Sequence, residues 1–268
     1  MKIYISADME GISTTSIFDD CINTFPQYPE HCQAMTQEVA AACEGAIMAG
    51  AKEIVINDAH GPASNIDPKQ LPDCCRIIRK WSGHPYLAVE GLDSSYDAIM
   101  FVGYHSGASS SGNPLAHTIS LKFHSVKLNG HLASEFTIYG NCAIREGVPI
   151  VYLSGDKQLC QDNQDLYPHL VTTAVKEGFG AANIALSLSA AVKQIRADAE
   201  KALRQDFRGP ALRLPEHFEV ELFYHKPADA YKCSFYPGAR LIRNDTVLFS
   251  ADDYFDVLRF INFIIWLV

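Results

Sequence analysis

Three separate apolar runs in this sequence each end at acidic or histidine residues, with a glycine close behind. The first run leads into Asp8 and Glu10, the second into His60, and the third into His105. Short apolar runs with turn residues after them are typical of buried parallel strands. Because the carboxyl ends of parallel strands meet at one edge of a sheet, we expect these four side chains to lie close together.

The order of elements predicts an α/β fold with a mostly parallel central sheet flanked by helices. A helical repeat over 34–49 followed by a strand at 52–57 has the size of a parallel crossover. We expect residues 1–180 to form the α/β metal-binding catalytic domain and residues 181–268 to form a smaller C-terminal α+β region packed on it. In that region we predict a helix at 182–205, a strand at 217–224 and a closing helix at 252–268.

Composition excludes several classes of protein. A net charge of −9 over 268 residues argues against nucleic acid binding, because phosphate binding needs a positive face. The longest apolar run, at 263–268, is far shorter than the roughly 20 residues of a membrane helix. No secretory leader precedes the first strand, so we expect a cytoplasmic protein with no membrane partner. The eight cysteines form no C-x-x-C pair, and we expect them to be reduced.

Each strand-end residue has a structural alternative when it is considered alone. Asp8 or Glu10 could cap a turn or pair with a surface cation, and His60 or His105 could be a hydrogen-bonded structural histidine. Their repeated placement at strand ends favours a shared metal site. Two carboxylates and two imidazoles with no thiol suit zinc first, and manganese or cobalt less selectively.

Two further residues are open to two interpretations. Glu135 falls near the start of a helix predicted over 134–145, where an acid is stabilised by the helix dipole, or it joins the metal ligands. His117 follows a Gly/Ser/Asn/Pro loop at 106–114 and is either a surface or capping histidine or a catalytic acid/base. Spacing alone does not decide between these roles.

The combined motifs resemble those of the DppA-type D-aminopeptidases, metallopeptidase family M55. The residues that carry the resemblance span 1–155 in matching order, and 171–176 extends it. They are Ser6-Ala7-Asp8-Met9-Glu10-Gly11, Asn57-Asp58-Ala59-His60, Gly103-Tyr104-His105, Ala116-His117-Thr118 and Ser134-Glu135.

The resemblance implies a zinc-dependent aminopeptidase that removes an N-terminal D-amino acid from short peptides. It implies two zinc ions per subunit, with Asp8 bridging them, Glu10 and His105 completing one, and His60 and Glu135 completing the other. His117 would be the catalytic residue. A homo-oligomer, possibly a ring-like decamer, is expected by the same analogy.

Some positions depart from the family pattern. Ala59 precedes the histidine where serine is common, and the turn at 154–157 is less acidic than expected. We expect the loops at 12–33 and 106–114 to shape the substrate pocket.

Two other functions fit the same ligands. One is a two-metal phosphoesterase, although no Lys or Arg occurs between Lys2 and Lys52 or between Lys80 and Lys122. The other is a noncatalytic metal-binding assembly protein.

Overall fold

Two β-sheets form the framework of the computed structural model, which describes residues 1–167, 169–209 and 212–267. The strands are β1 (Lys2–Ala7), β2 (Glu53–Asp58), β3 (Cys75–Ile78), β4 (Ala98–Tyr104), β5 (Phe123–Leu128), β6 (His131–Leu132), β7 (Ile150–Asp156), β8 (Val171–Phe179), β9 (Ala182–Ala185), β10 (Phe218–Tyr224), β11 (Arg240–Arg243) and β12 (Thr246–Ala251). The helices are α1 (Tyr28–Met48), α2 (Glu135–Glu146), α3 (Lys157–Gln164), α4 (Leu188–Arg204), α5 (Pro227–Cys233) and α6 (Tyr254–Ile265). Short 3-10 turns occupy Phe18–Cys21, Pro68–Gln70 and Leu87–Val89.

The larger sheet confirms the predicted α/β fold. Its strand order is β3-β2-β1-β4-β7-β8-β9, and every neighbouring pair is parallel except β8 and β9. Alternation along β1 sends Ile3 and Ile5 into one apolar core and Tyr4 into another. Helices α1 and α4 cover the first face, while α2, α6 and the second sheet cover the other.

The strand register aligns the ends of the three strands that the sequence singled out. Ala7, the last residue of β1, lies opposite Asp58 of β2 and Val102 of β4. The residues that follow these positions therefore leave the sheet at the same edge. This alignment is the reason why side chains separated by about fifty residues in sequence can meet.

The second sheet is antiparallel and has the order β11-β12-β10-β5-β6. Strands β5 and β6 form the hairpin expected at Asn129-Gly130, and Asn129 has a φ of 50° that suits such a turn. This sheet combines strands from 123–132 with strands from 218–251. The boundary proposed at residue 180 stays a prediction.

The helix predicted over 182–205 is partly wrong. Residues 182–185 form β9, which pairs antiparallel with β8, and α4 begins only at Leu188 after Ser187, whose hydroxyl accepts from the amide of Ala190. The closing helix is α6, capped by Asp253, and Val268 at the end of the predicted helix lies outside the described residues. Across the described ranges, none of the helices combines the length and apolarity that crossing a membrane requires.

Candidate metal centre

The turn after β1 fits tightly against the end of β4. The amide of Asp8 donates to the carbonyl of Val102 at 2.9 Å, and the amide of Gly11 donates to the carbonyl of Gly103 at 2.8 Å. A Cβ atom on Gly11 would lie 1.8 Å from the carbonyl oxygen of Tyr104. Only glycine fits at this position, and the close approach fixes the acidic turn beside the third strand.

His60 lies between a backbone carbonyl and two carboxylates. Its Nε2 donates to the carbonyl of Cys21 at 2.8 Å, while Nδ1 lies 2.8 Å from Oε2 of Glu10 and 3.3 Å from Oδ1 of Asp8. A carbonyl that accepts from one ring nitrogen fixes the ring and directs the other nitrogen toward the site. Nδ1 is therefore the nitrogen of His60 that can serve as a ligand.

His105 has the same arrangement with the ring nitrogens exchanged. Its Nδ1 donates to the carbonyl of Ser106 at 2.9 Å, and its Nε2 lies 3.5 Å from Oδ2 of Asp8 and 3.5 Å from Oε1 of Glu135. The side chain is fully buried. Asp8 thus presents one oxygen to His60 and the other to His105.

Glu135 is the first residue of α2, as expected, and it also belongs to the cluster. Its Oε1 accepts the backbone N–H of Ile119 at 2.7 Å and lies 3.6 Å from Nε2 of His117. The helix-terminal position and the place beside the imidazoles are therefore both correct descriptions of this residue.

His117 stacks on His105 with 4.4 Å between ring centroids and 8° between ring planes. Its Nδ1 donates to the carbonyl of Leu115 at 2.9 Å, so that Nε2 faces Glu135. Phe18 packs edge-on against the same ring at 5.7 Å. His117 is thus part of the cluster and is not a surface histidine.

The charged groups strongly perturb one another. Burial and the charge of Glu10 raise the pKa of Asp8 to about 7. Burial alone would lower the pKa of His105, but the neighbouring Glu135 raises it to about 10. For His117, burial and then the charge of His105 hold the pKa below its ordinary value. Buried carboxylates this close together repel one another, and a bound positive charge would stabilise them.

Two buried polar atoms in this cluster have no hydrogen-bond partner among the described residues, Oδ2 of Asp8 and Nε2 of His105. Buried polar atoms nearly always have a hydrogen-bond partner. These two atoms lie 3.5 Å apart and have none, so they need a physical explanation. A cation bound between them would satisfy both. Carboxylate oxygens and imidazole nitrogens suit zinc, and the residues present therefore fit the metal that the resemblance implies.

Among the residues that the structure describes, three groups of possible ligands have donor atoms within 4.8 Å of one another: Asp8, Glu10 and His105; His105, His117 and Glu135; and Glu10, Cys21 and His60. The first matches a predicted ligand set. The third contains the thiol of Cys21, which is not among the predicted ligands. Cys21 comes from a 3-10 turn in a polar loop, and no spacing signal in the sequence marked it.

Buried groups from β8 and from the loop between β4 and β5 support the acidic turn. Nζ of Lys176 donates to the carbonyls of Glu10 at 2.5 Å and Thr15 at 2.8 Å. Nδ2 of Asn113 also donates to the carbonyl of Glu10, at 3.1 Å. The resemblance includes residues 171–176, but it gives Lys176 no role, and the contacts of Lys176 with the turn depend on how distant segments pack.

A cavity of about 260 Å³ opens directly onto the cluster. Its lining differs from the predicted pocket, because none of its described lining residues comes from the loops at 12–33 or 106–114. The charged side is formed by the predicted site residues other than His105. The rest comes from Ala59, Gly61, Trp81, Leu87, Ile119, Tyr139, Ile265 and Trp266.

The fold and this cluster define a class of α/β proteins that carry, at the edge of the sheet, a cluster of carboxylates and imidazoles that could hold a metal ion. Comparison with known proteins gives the family. The chain matches the model of peptidase family M55, described as D-aminopeptidase, over residues 1–263. The chain belongs to this family, which places it among the peptidases and confirms the resemblance drawn from its motifs.

Two relatives from Bacillus subtilis illustrate the similarity. The D-aminopeptidase of strain 168 is 26% identical over 265 residues, which cover 97% of this chain and 94% of the relative. The solved structure of the Zn-dependent D-aminopeptidase DppA, described as a self-compartmentalizing protease, superposes with a TM-score of 0.93 at 24% identity. It covers 100% of this chain and 97% of DppA, and it confirms the fold.

Proposed function

We propose that this protein is a zinc-dependent aminopeptidase that releases the N-terminal residue, a D-amino acid, from short peptides. The observation that carries the proposal is the pair of unsatisfied buried atoms on Asp8 and His105, within a cluster of three carboxylates and three imidazoles. Family membership supplies the peptide bond as the target. The D-preference and the zinc come from what the two relatives are described to be.

We propose that the ligands are Asp8, Glu10, His60, His105 and Glu135, and that they hold two zinc ions. The group of Asp8, Glu10 and His105 supports one ion held as the resemblance implies, with Asp8 shared between the two ions. The shortest contacts also pair His60 with Glu10 and His105 with Glu135, so a second division of the same five ligands would fit the cluster as well. Three carboxylates offset three of the four charges of two zinc ions.

Bound zinc lowers the pKa of a bound water and polarises a carbonyl oxygen, which is the chemistry a peptidase needs near neutral pH. The protein supports that chemistry with rings that are fixed before substrate arrives, because each imidazole donates to a backbone carbonyl. His117 is the proposed acid/base. Its lowered pKa keeps Nε2 uncharged near neutral pH, so that this atom can take up a proton and deliver it to the leaving amine.

The cavity lining weighs against a phosphoesterase. No lysine or arginine is among the described residues that line it. The only nearby ammonium group in the supporting contacts, that of Lys176, is committed to backbone oxygens. An acidic cavity without cations instead suits the free ammonium group of a peptide. By analogy with DppA we also propose a homo-oligomer, and we retain the cytoplasmic location as part of the proposal.

The test is release of the first residue from D-Ala-D-Ala and D-Leu-D-Ala and from their all-L counterparts by zinc-loaded protein. Each reaction is repeated with a chelator and with Asp8→Asn. Cleavage of the D-peptides alone, lost in both controls, is the expected result. Cleavage of the L-peptides would remove the D-preference but keep the metallopeptidase, and chelator-resistant cleavage would contradict the metal mechanism.

A further inference from the structure

Part of the lining of the cavity over the candidate metal centre is apolar. It consists of Trp81, Leu87, Ile119, Ile265 and Trp266, which line the same space of about 260 Å³ as the carboxylates and imidazoles. These five residues, called the apolar wall below, come from four separate segments of the chain. Apolar surface beside a few convergent polar groups is the usual composition of a site for an organic ligand.

Two residues of the apolar wall hold a costly backbone conformation. Ile119 has a φ of 63° and Leu87 has a φ of 44°, in the left-handed region that favours glycine. A branched side chain at such a position is a true outlier, and such outliers cluster at functional sites. Glycine would adopt the same backbone without strain but would leave no side chain in the wall. The strained backbone therefore keeps two apolar side chains in the cavity lining, where glycine would leave none.

Local hydrogen bonds fix both strained segments. The amide of Ile119 donates to Glu135, and the carbonyl of Leu87 accepts from Nδ2 of Asn57 at 3.1 Å. The wall is thus tied directly to the metal cluster through Glu135. Its distance from the reacting centre is set by the same contact that orients this carboxylate.

The polar atoms of both tryptophans are satisfied, and Trp81 is half-buried. Nε1 of Trp81 donates to the carbonyl of Gly61 at 2.8 Å, and Nε1 of Trp266 donates to Oδ1 of Asn262 at 3.2 Å. Trp266 is 66% exposed. An indole ring left open at the mouth of a cavity gains free energy when an apolar group covers it.

We propose that the apolar wall is the subsite for the side chain of the substrate's N-terminal residue, and that this enzyme prefers peptides that begin with a large apolar residue. The inference rests on the proposed aminopeptidase function. In such an enzyme the ammonium group and the scissile carbonyl both lie at the charged side of the cavity. The side chain of the residue between them must then point to a neighbouring wall, and the wall available here is apolar.

The first test compares kcat/KM for D-phenylalanine amide, D-leucine amide and D-alanine amide, which contain only the N-terminal residue. We expect the two large substrates to exceed D-alanine amide by tenfold or more, the scale set by burial of several methylene groups. Trp266→Ala and Trp81→Ala should reduce that ratio. Phe235→Ala is the matched control, because Phe235 is 70% exposed and lies outside the cavity lining.

A binding test separates this inference from the proposed function. Calorimetric titration of zinc-loaded protein with the hydroxamates of D-phenylalanine and D-alanine should show tighter binding of the former by tenfold or more, and Trp266→Ala should remove the difference. If neither the amides nor the peptides are hydrolysed but the binding difference remains, the peptidase proposal fails while the apolar wall is still shown to bind a large apolar side chain. Equal binding of the two hydroxamates, or a preference for D-alanine amide, would overturn the subsite.

Discussion

His105 and His117 form a parallel stack, with ring centroids 4.4 Å apart, in which both Nε2 atoms face the same oxygen of Glu135. The two rings have different surroundings. His105 is fully buried and also faces Asp8, whereas His117 lines the open cavity. This difference supports the proposal that the inner ring binds metal and that the outer ring transfers protons.

His117→Ala should lower kcat by about 10²–10⁴-fold, the range for loss of a general acid or base, while zinc content stays unchanged. His105→Ala should lose zinc as well as activity. The exposed His131 on β6 provides the control, since His131→Ala removes an imidazole that belongs neither to the cluster nor to the cavity lining. Full activity in His117→Ala would show that the outer ring has no catalytic role.

Metal content should report the proposed division of ligands. Elemental analysis after dialysis should find two zinc ions in the unaltered protein, none in Asp8→Asn, and one in Glu135→Gln. Chelation should also lower the melting temperature of the unaltered protein, because an ion that binds only the folded chain stabilises it by mass action. Two ions retained in Asp8→Asn would rule out a bridging role for this carboxylate.

Gly11→Ala should destabilise the fold by about 3 kcal/mol or more, because its new methyl group would overlap the carbonyl oxygen of Tyr104 and force the backbone to move. Gly180→Ala is the control. Its φ is 58° but no atom lies within 4 Å of the added Cβ, so about 1–2 kcal/mol is expected. Urea denaturation measures both, and equal losses would mean that the turn adapts to the methyl group.

Glu38→Gln should raise stability at neutral pH. Burial in α1 raises the pKa of Glu38, although Ser13 donates two hydrogen bonds to Oε1 and Lys176 faces it. A carboxyl group whose pKa is higher in the folded chain contributes stability below its unfolded pKa and loses it as the pH rises through the folded pKa.

The difference between the two proteins should therefore be small near about pH 4, close to the usual pKa of glutamate, and should grow toward neutral pH. Melting temperatures across this range measure it. Glu30→Gln, an exposed position on the same helix, controls for the substitution itself. If the difference in melting temperature did not change with pH, ionisation of Glu38 would not destabilise the folded chain.

The strand-end ligands could be predicted because the evidence for them is local. Each follows its own apolar run, and parallel pairing brings the ends of the runs together without further information. The role of Glu135 cannot be predicted in this way, because the start of a helix explains an acidic residue equally well. Its contact with His105 depends on how α2 packs, and no short stretch of sequence records that packing.

The features that sequence could not reveal depend on non-local pairing. Residues 182–185 have a helical composition but pair with β8 in a hairpin, because tertiary contacts outweigh weak local propensity. The apolar wall likewise combines Trp81 with Trp266, which no periodicity connects. The Cys21 residue orients His60 through its backbone carbonyl, and any residue type has such a carbonyl, so the sequence gives no sign of this contact.

The position of β1 in the middle of the larger sheet has a consequence for synthesis of the chain. Ile3 pairs with Ile54 on one side and with Ala98 on the other, so this strand leaves the ribosome long before its second partner exists. Loops of this length close slowly compared with local helices. An apolar central strand therefore waits, unpaired on one edge, until β4 emerges, and in that interval it is open to pairing with another nascent copy.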